Sequence, residues 1–156
     1  MSKEFETILS DVAMDTLEQL AFVFASSNDD EDLISEAPCI AVKVAFEGPF
    51  KGRLFMKTSN QVVDEITVNM LGIDEYEEIS SDQRCDAFKE TINVICGNLL
   101  PEIADKKAVF NIDAPEVLTE AGDIEATLKD QGSPAAVAKL DIDDEACDLY
   151  LFMDEP

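Results

Sequence analysis

The sequence predicts an α+β fold: a single domain over residues 1–156, with two long helices packed on one face of a largely antiparallel sheet. Three observations carry that expectation. Apolar residues recur at the 3.6-residue helical period in long stretches. Elsewhere they alternate in short runs closed by turn residues, the pattern of half-buried antiparallel strands. No linker-like stretch divides the chain, and at 156 residues one domain is the natural expectation.

The first helix is expected from Glu4 to Ala25, where Phe5, Ile8, Leu9, Val12, Thr16, Leu20 and Phe24 keep the helical period. The polar stretch SSNDDEDLISEAP then breaks it and ends on a proline. CIAVKVAFEG alternates, with Ile40, Val42, Val44 and Phe46 on one face, and Gly48-Pro49 turns the chain into a second strand, RLFMKT. NQVVDEITVNMLG predicts a second helix closed by Gly72, because glycine accepts the left-handed conformation common just past a helix end. The polar link IDEYEEISSDQR leads to a long third helix reaching about Ala104, with Ser80 or Ser81 as its cap.

AVFNIDAPEVL reads as extended chain, with Pro115 marking an edge or a strand end. AAVAKLDI and CDLYLFM are expected as two more strands around a tight acidic turn, Asp143–Glu145. The segment TEAGDIEATLKDQGSP is expected to be a loop. DIDDEACD has the acidity of a calcium loop but lacks the glycine at its sixth position and the glutamate at its twelfth, so it is a hairpin turn.

Composition excludes several functions. The chain is 46% apolar, enough for a core, yet carries 35 acidic against 11 basic residues, a formal charge of −24. So negative a surface repels phosphate backbones and anionic lipid, which excludes nucleic acid and membrane as expected partners. It suits solubility, and it can steer a partner with a basic patch. Cys39, Cys85, Cys96 and Cys147 are scattered, no C-x-x-C occurs and there is no histidine, so no metal site is expected and the cysteines read as free buried thiols. The N-terminal MSKEFETILSD is acidic and amphipathic rather than a signal peptide, and no apolar run is long enough to span a bilayer. The expected compartment is the cytoplasm.

The third helix carries the informative pattern. At about 100° per residue, Phe88, Ile92, Ile95, Leu99 and Ile103 cluster on one side, with Cys96 at the margin. Asp86, Glu90, Asn93 and Gly97 cluster nearly opposite. An ordinary solvated face accounts for Glu90 but poorly for an asparagine and a glycine, which weaken a helix where Ala, Lys or Gln would serve. Close approach of another helix is one explanation of Gly97; a functional surface is the other.

Asp86-x-x-x-Glu90-x-x-Asn93-x-x-x-Gly97-Asn98 resembles the signature of the CheC/CheX/FliY chemotaxis phosphatases. Its core would arise by chance in roughly one chain in a thousand of this size at average residue usage. The element order is similar along nearly the whole chain, and Pro115 sits about where the family has a proline. Family members with two sites carry the signature on both long helices. Here EQLAFVFAS, Glu18–Ser26, aligns with ETINVICGN, Glu90–Asn98, but Ala21 stands where Asn93 does and Ser26 where Asn98 does. A single intact site is closest to the CheX branch, and the first helix is expected to be a structural counterpart, with Phe22 free for a subunit contact.

The resemblance implies hydrolysis of the aspartyl-phosphate of a CheY-type response regulator in bacterial chemotaxis. Asn93 would orient the attacking water and Glu90 would anchor the regulator by pairing with a lysine of its active site. Asp86, Gly97 and Asn98 would complete the partner-binding set: Asp86 on the rim, Gly97 permitting close approach, Asn98 bracing the helix. The magnesium would belong to the regulator, so the chain would need no cofactor of its own. A CheX-like homodimer is expected, since edge strands of a small sheet need cover. The alternative is a non-catalytic adaptor that binds a regulator or a flagellar-switch component.

Overall fold

The chain folds as helices packed on both faces of one antiparallel sheet in a computed structural model that describes residues 2–27, 39–73 and 79–154. The elements in chain order are α1 (Ser2–Ala21), β1 (Ser26–Ser27), β2 (Cys39–Glu47), β3 (Lys51–Ser59), α2 (Asn60–Leu71) and α3 (Ser81–Ile103). They are followed by β4 (Asn111–Ile112), β5 (Glu116–Leu118), α4 (Ala121–Asp130), β6 (Ala136–Ile142) and β7 (Glu145–Met153). The strand order is β1-β6-β7-β3-β2-β4, with β5 also on β2, and every described strand pair is antiparallel.

The alternation read from the sequence sets the two faces of this sheet. Ile40, Val42, Val44 and Phe46 of β2, Leu54 and Met56 of β3, and Leu149 and Leu151 of β7 point into the main core. There they meet Leu9, Ala13 and Leu17 of α1, Val63 and Ile66 of α2, and Phe88, Ile92, Ile95 and Leu99 of α3. The two long helices therefore share one face as expected, and α2 joins them there. The β6–β7 connection is a two-residue turn, because Ile142 pairs with Glu145. Asp143 and Asp144 both take positive φ, 51° and 66°. That is the turn whose twist matches the flanking strands, and aspartate is among the residues that tolerate it.

The helix caps also follow the sequence. Ser80 accepts a hydrogen bond from the Gln83 backbone while the Gln83 side chain accepts from the Ser80 backbone, a reciprocal box that seals the start of α3. Gly72 closes α2 at φ 69°, its N–H donating to the Val68 carbonyl.

Three expectations need correction. The first helix stops at Ala21 rather than Ala25: Phe22 turns left-handed at φ 53°, and the Val23 N–H reaches back to the Leu17 carbonyl. Phe24 consequently leaves the apolar stripe and lies exposed. The segment expected as a loop after Leu118 contains α4, whose Ile124 and Leu128 pack with Ala41, Phe55, Tyr150 and Phe152 on the sheet face opposite the main core. The two-residue strand β1 was not foreseen; it pairs with β6 at Asp141 and Leu140. The polar breaks expected at 28–38 and 74–78 lie outside the described residues.

The sheet also sets the direction of the helices. Chain leaving α1 enters β1 beside Asp141, next to the β6–β7 turn. Gln61, Val62 and Glu65 of α2 border Ile142, Asp143 and Glu145 at that same turn, and a cleft there joins Asn60 of α2 to Ser81, Arg84 and Cys85 of α3. Thus α1 runs toward this end of the sheet and α3 runs away from it, antiparallel to each other.

Candidate functional site

The site sequence analysis picks out is a ridge along α3. Its inner side is fixed by burial: Ala87, Phe88, Thr91, Ile92, Ile95, Cys96, Leu99 and Leu100 are all buried. Arg84 donates from Nε to the Asp64 carboxylate, tying the first turns of α3 to α2, and Thr91 donates to the Ala87 carbonyl within the helix. The helix is thus held at its start by the capping box and the Arg84–Asp64 pair, and along its length by its apolar face.

That arrangement turns Asp86, Glu90 and Gly97 outward, all exposed, with Asn93 half-buried between them. The structure therefore brings four of the five expected residues onto one outward stripe. Among the described residues, neither carboxylate is ion-paired and the Asn93 amide has no side-chain partner. Val94, half-buried, flanks the stripe. A Cβ built on Gly97 would meet nothing within 4 Å. Close approach of a neighbouring helix among the described residues therefore does not explain the glycine.

Asn98 departs from the stripe. Although exposed, its Nδ2 donates to Thr16 Oγ1 of α1 at 3.1 Å, so it braces one long helix against the other. Thr16 is only 3% exposed. In the sequence Thr16 falls in the apolar stripe of the first helix, and the one sign of its hydroxyl contact is a polar side chain at a core position.

The counterpart positions on α1 form no matching ridge. Glu18 is exposed, but Ala21, aligned with Asn93, is buried at the helix end, and Ala25 and Ser26, aligned with Gly97 and Asn98, lie beyond the helix. The thiols play no part in the ridge. Burial pushes Cys96 and Cys147 up to about 12, which keeps them neutral and unreactive, while Cys39 and Cys85 are half-buried.

Helices layered on an antiparallel sheet in this order define the fold of the CheC, CheX and FliY proteins. Chemotaxis protein CheX from Vibrio vulnificus superposes with a TM-score of 0.72 at 14% identity, over 97% of each chain. CheX from Desulfovibrio desulfuricans gives 0.70 at 15% identity, over 97% of this chain and 99% of that one. The CheX of a CheX–CheY–BeF3–Mg2+ complex from Borrelia burgdorferi gives 0.64 at 14% identity, over 96% and 97%. The family model for the chemotaxis phosphatase CheX matches residues 40–138, from β2 into β6 and across all of α3, and the chain belongs to that family. No curated protein matches the chain significantly by sequence. Among the described residues, no helix is long and apolar enough to cross a membrane.

Proposed function

We propose that this protein hydrolyses the aspartyl-phosphate of a CheY-type response regulator, presenting the α3 ridge to the regulator's active site. An acyl phosphate already has a good leaving group, so the catalyst has chiefly to place water in line with phosphorus. The Asn93 amide suits that task. It offers both donor and acceptor atoms, and its contribution is positioning rather than proton abstraction. Glu90, one turn earlier and without an ion pair among the described residues, is available to a lysine of the regulator, and Asp86 extends the acidic rim. Magnesium and the phosphorylated aspartate are supplied by the regulator.

The observation that carries this reading is the open space at Gly97. A glycine in the middle of an exposed helix face weakens the helix, and nothing among the described residues needs the room. Closeness to an external partner gives the glycine a use, and the unpaired Glu90 and Asn93 lie beside it. Membership of the CheX family and the CheX–CheY complex of the Borrelia relative support the choice of partner. The test is the decay of phosphorylated regulators in the presence and absence of the protein. Accelerated decay supports hydrolysis; binding without acceleration would leave an adaptor.

A homodimer belongs to the same reading. Phe22 and Phe24 are 68% and 71% exposed on either side of buried Val23, next to the edge strand β1. Phe22 and Phe24 leave two aromatic rings in solvent at this edge, apolar surface that a second copy would bury. Sedimentation of wild type against a Phe22→Ser/Phe24→Ser variant should show a dimer becoming a monomer. An unchanged mass would remove this patch from any subunit contact.

A further inference from the structure

The backbone of α3 is weakest where the ridge ends. Gly97 is a poor helix former, and Pro101, four residues on, has no N–H to donate to the Gly97 carbonyl. One rung of the hydrogen-bond ladder is therefore missing immediately after the residues that face the partner. The apolar contacts of Ile95 and Leu99 hold the helix against the sheet and limit its rotation, but they supply no hydrogen bond at the level of the missing rung. The directional contact at this level is the Asn98 Nδ2–Thr16 Oγ1 hydrogen bond, anchored on a side chain buried in α1.

We propose that Thr16 is the positioning residue of the ridge: its hydroxyl clamps Asn98 and so fixes the rotation of α3 at the point where Gly97 and Pro101 leave it soft. The proposal rests on the phosphatase reading for its effect on turnover, though not for the clamp itself. The lever arm is short. Side chains lie about 5–6 Å from a helix axis, so a rotation of about 10° displaces the Asn93 amide by about 1 Å. A misplacement of that size costs up to about 100-fold in a reaction that depends on orientation. The first long helix, which lacks a ridge of its own, thereby serves the site on the second.

The test compares Thr16→Val, which keeps the shape and removes the hydroxyl, with Thr16→Ser, which keeps the hydroxyl, and with Asn98→Ala, an exposed change that does not threaten the core. Glu18→Ala, also on α1 but away from the bond, serves as the control. Thr16→Val and Asn98→Ala should each lower kcat for regulator dephosphorylation about 10-fold, with KM within about twofold of wild type. Together they should cost no more than either alone, because they break the same bond. Thr16→Ser should restore turnover. Amide hydrogen exchange supplies a readout that needs no activity: residues of α3 beyond Gly97 should exchange faster in Thr16→Val and Asn98→Ala, and at the wild-type rate in Thr16→Ser and Glu18→Ala. Wild-type kcat in Asn98→Ala, or an additive double variant, would overturn the proposal. Should the wild-type protein itself leave decay of the phosphorylated regulator unaccelerated, the phosphatase reading fails by itself. Exchange then decides the clamp, and unchanged exchange in Asn98→Ala overturns it.

Discussion

Replacing Gly97 with alanine should make the protein more stable and less active. Gly97 is exposed, lies inside a helix of 23 residues, and an added Cβ would meet no atom within 4 Å. Folding therefore gains the helix preference of alanine over glycine, about 0.5–1 kcal/mol, with no steric charge against it. For a chain of this size that raises the melting temperature by about 1–4 °C. Docking meets the opposite effect. If the ridge docks the regulator, a methyl group on the stripe between Asn93 and Pro101 should hold it off, and a displacement of about 1 Å from the in-line geometry should lower the rate by about 10- to 100-fold. Differential scanning calorimetry gives the first quantity and single-turnover decay of a phosphorylated regulator the second. A variant that is stabilised and fully active would refute the docking role of the ridge. A destabilised one would refute the open surroundings of Gly97.

Asn93→Ala should fold and bind the regulator but lose about 10²–10³ in the single-turnover rate, as expected for removal of one positioning group. Undiminished activity would take Asn93 out of the mechanism. Glu90→Ala should chiefly raise the dissociation rate from a phospho-mimic of the regulator, by about 10- to 100-fold if it removes a shielded charge-assisted contact. Added salt should instead lower the association rate, because on this reading a chain of charge −24 would use long-range attraction to find a basic rim on the regulator. Stopped-flow binding at two ionic strengths separates the two effects. Glu65 on α2 is a test of pH dependence: burial, then the neighbouring Asp143 carboxylate, raise it above its ordinary value of 4.5. The proton therefore binds the folded chain more tightly than the unfolded one. This stabilisation is complete below about 4.5 and is lost as pH rises through the raised value. Glu65→Gln should accordingly shrink the fall in melting temperature between about pH 4 and pH 7, and an unchanged slope would discount the pair.

The sequence by itself determined the features that are local. Ser80 and Gln83 sit three apart before an apolar run, and the reciprocal cap forms within one turn. Asp143 and Asp144 lie between two alternating segments, and the tight turn follows from their tolerance of positive φ. The ridge was legible for the same reason: Asp86, Glu90, Asn93 and Gly97 fall on one side of any regular helix, whatever the helix packs against. What the tertiary structure decided depends on partners distant in the chain. The short helix α4 has little intrinsic stability, and its existence rests on Ile124 and Leu128 finding Phe55, Tyr150 and Phe152 on the outer face of the sheet. Periodicity carried Phe24 on as a helical residue, but Phe22 turns left-handed and the chain leaves for the edge of β6, so that aromatic emerges into solvent. The hydrogen bond between Thr16 and Asn98 joins residues 82 positions apart. A hydroxyl in an apolar stripe and an amide after a glycine do not announce each other in sequence. Only the antiparallel packing of α1 on α3 brings the donor within reach of the acceptor.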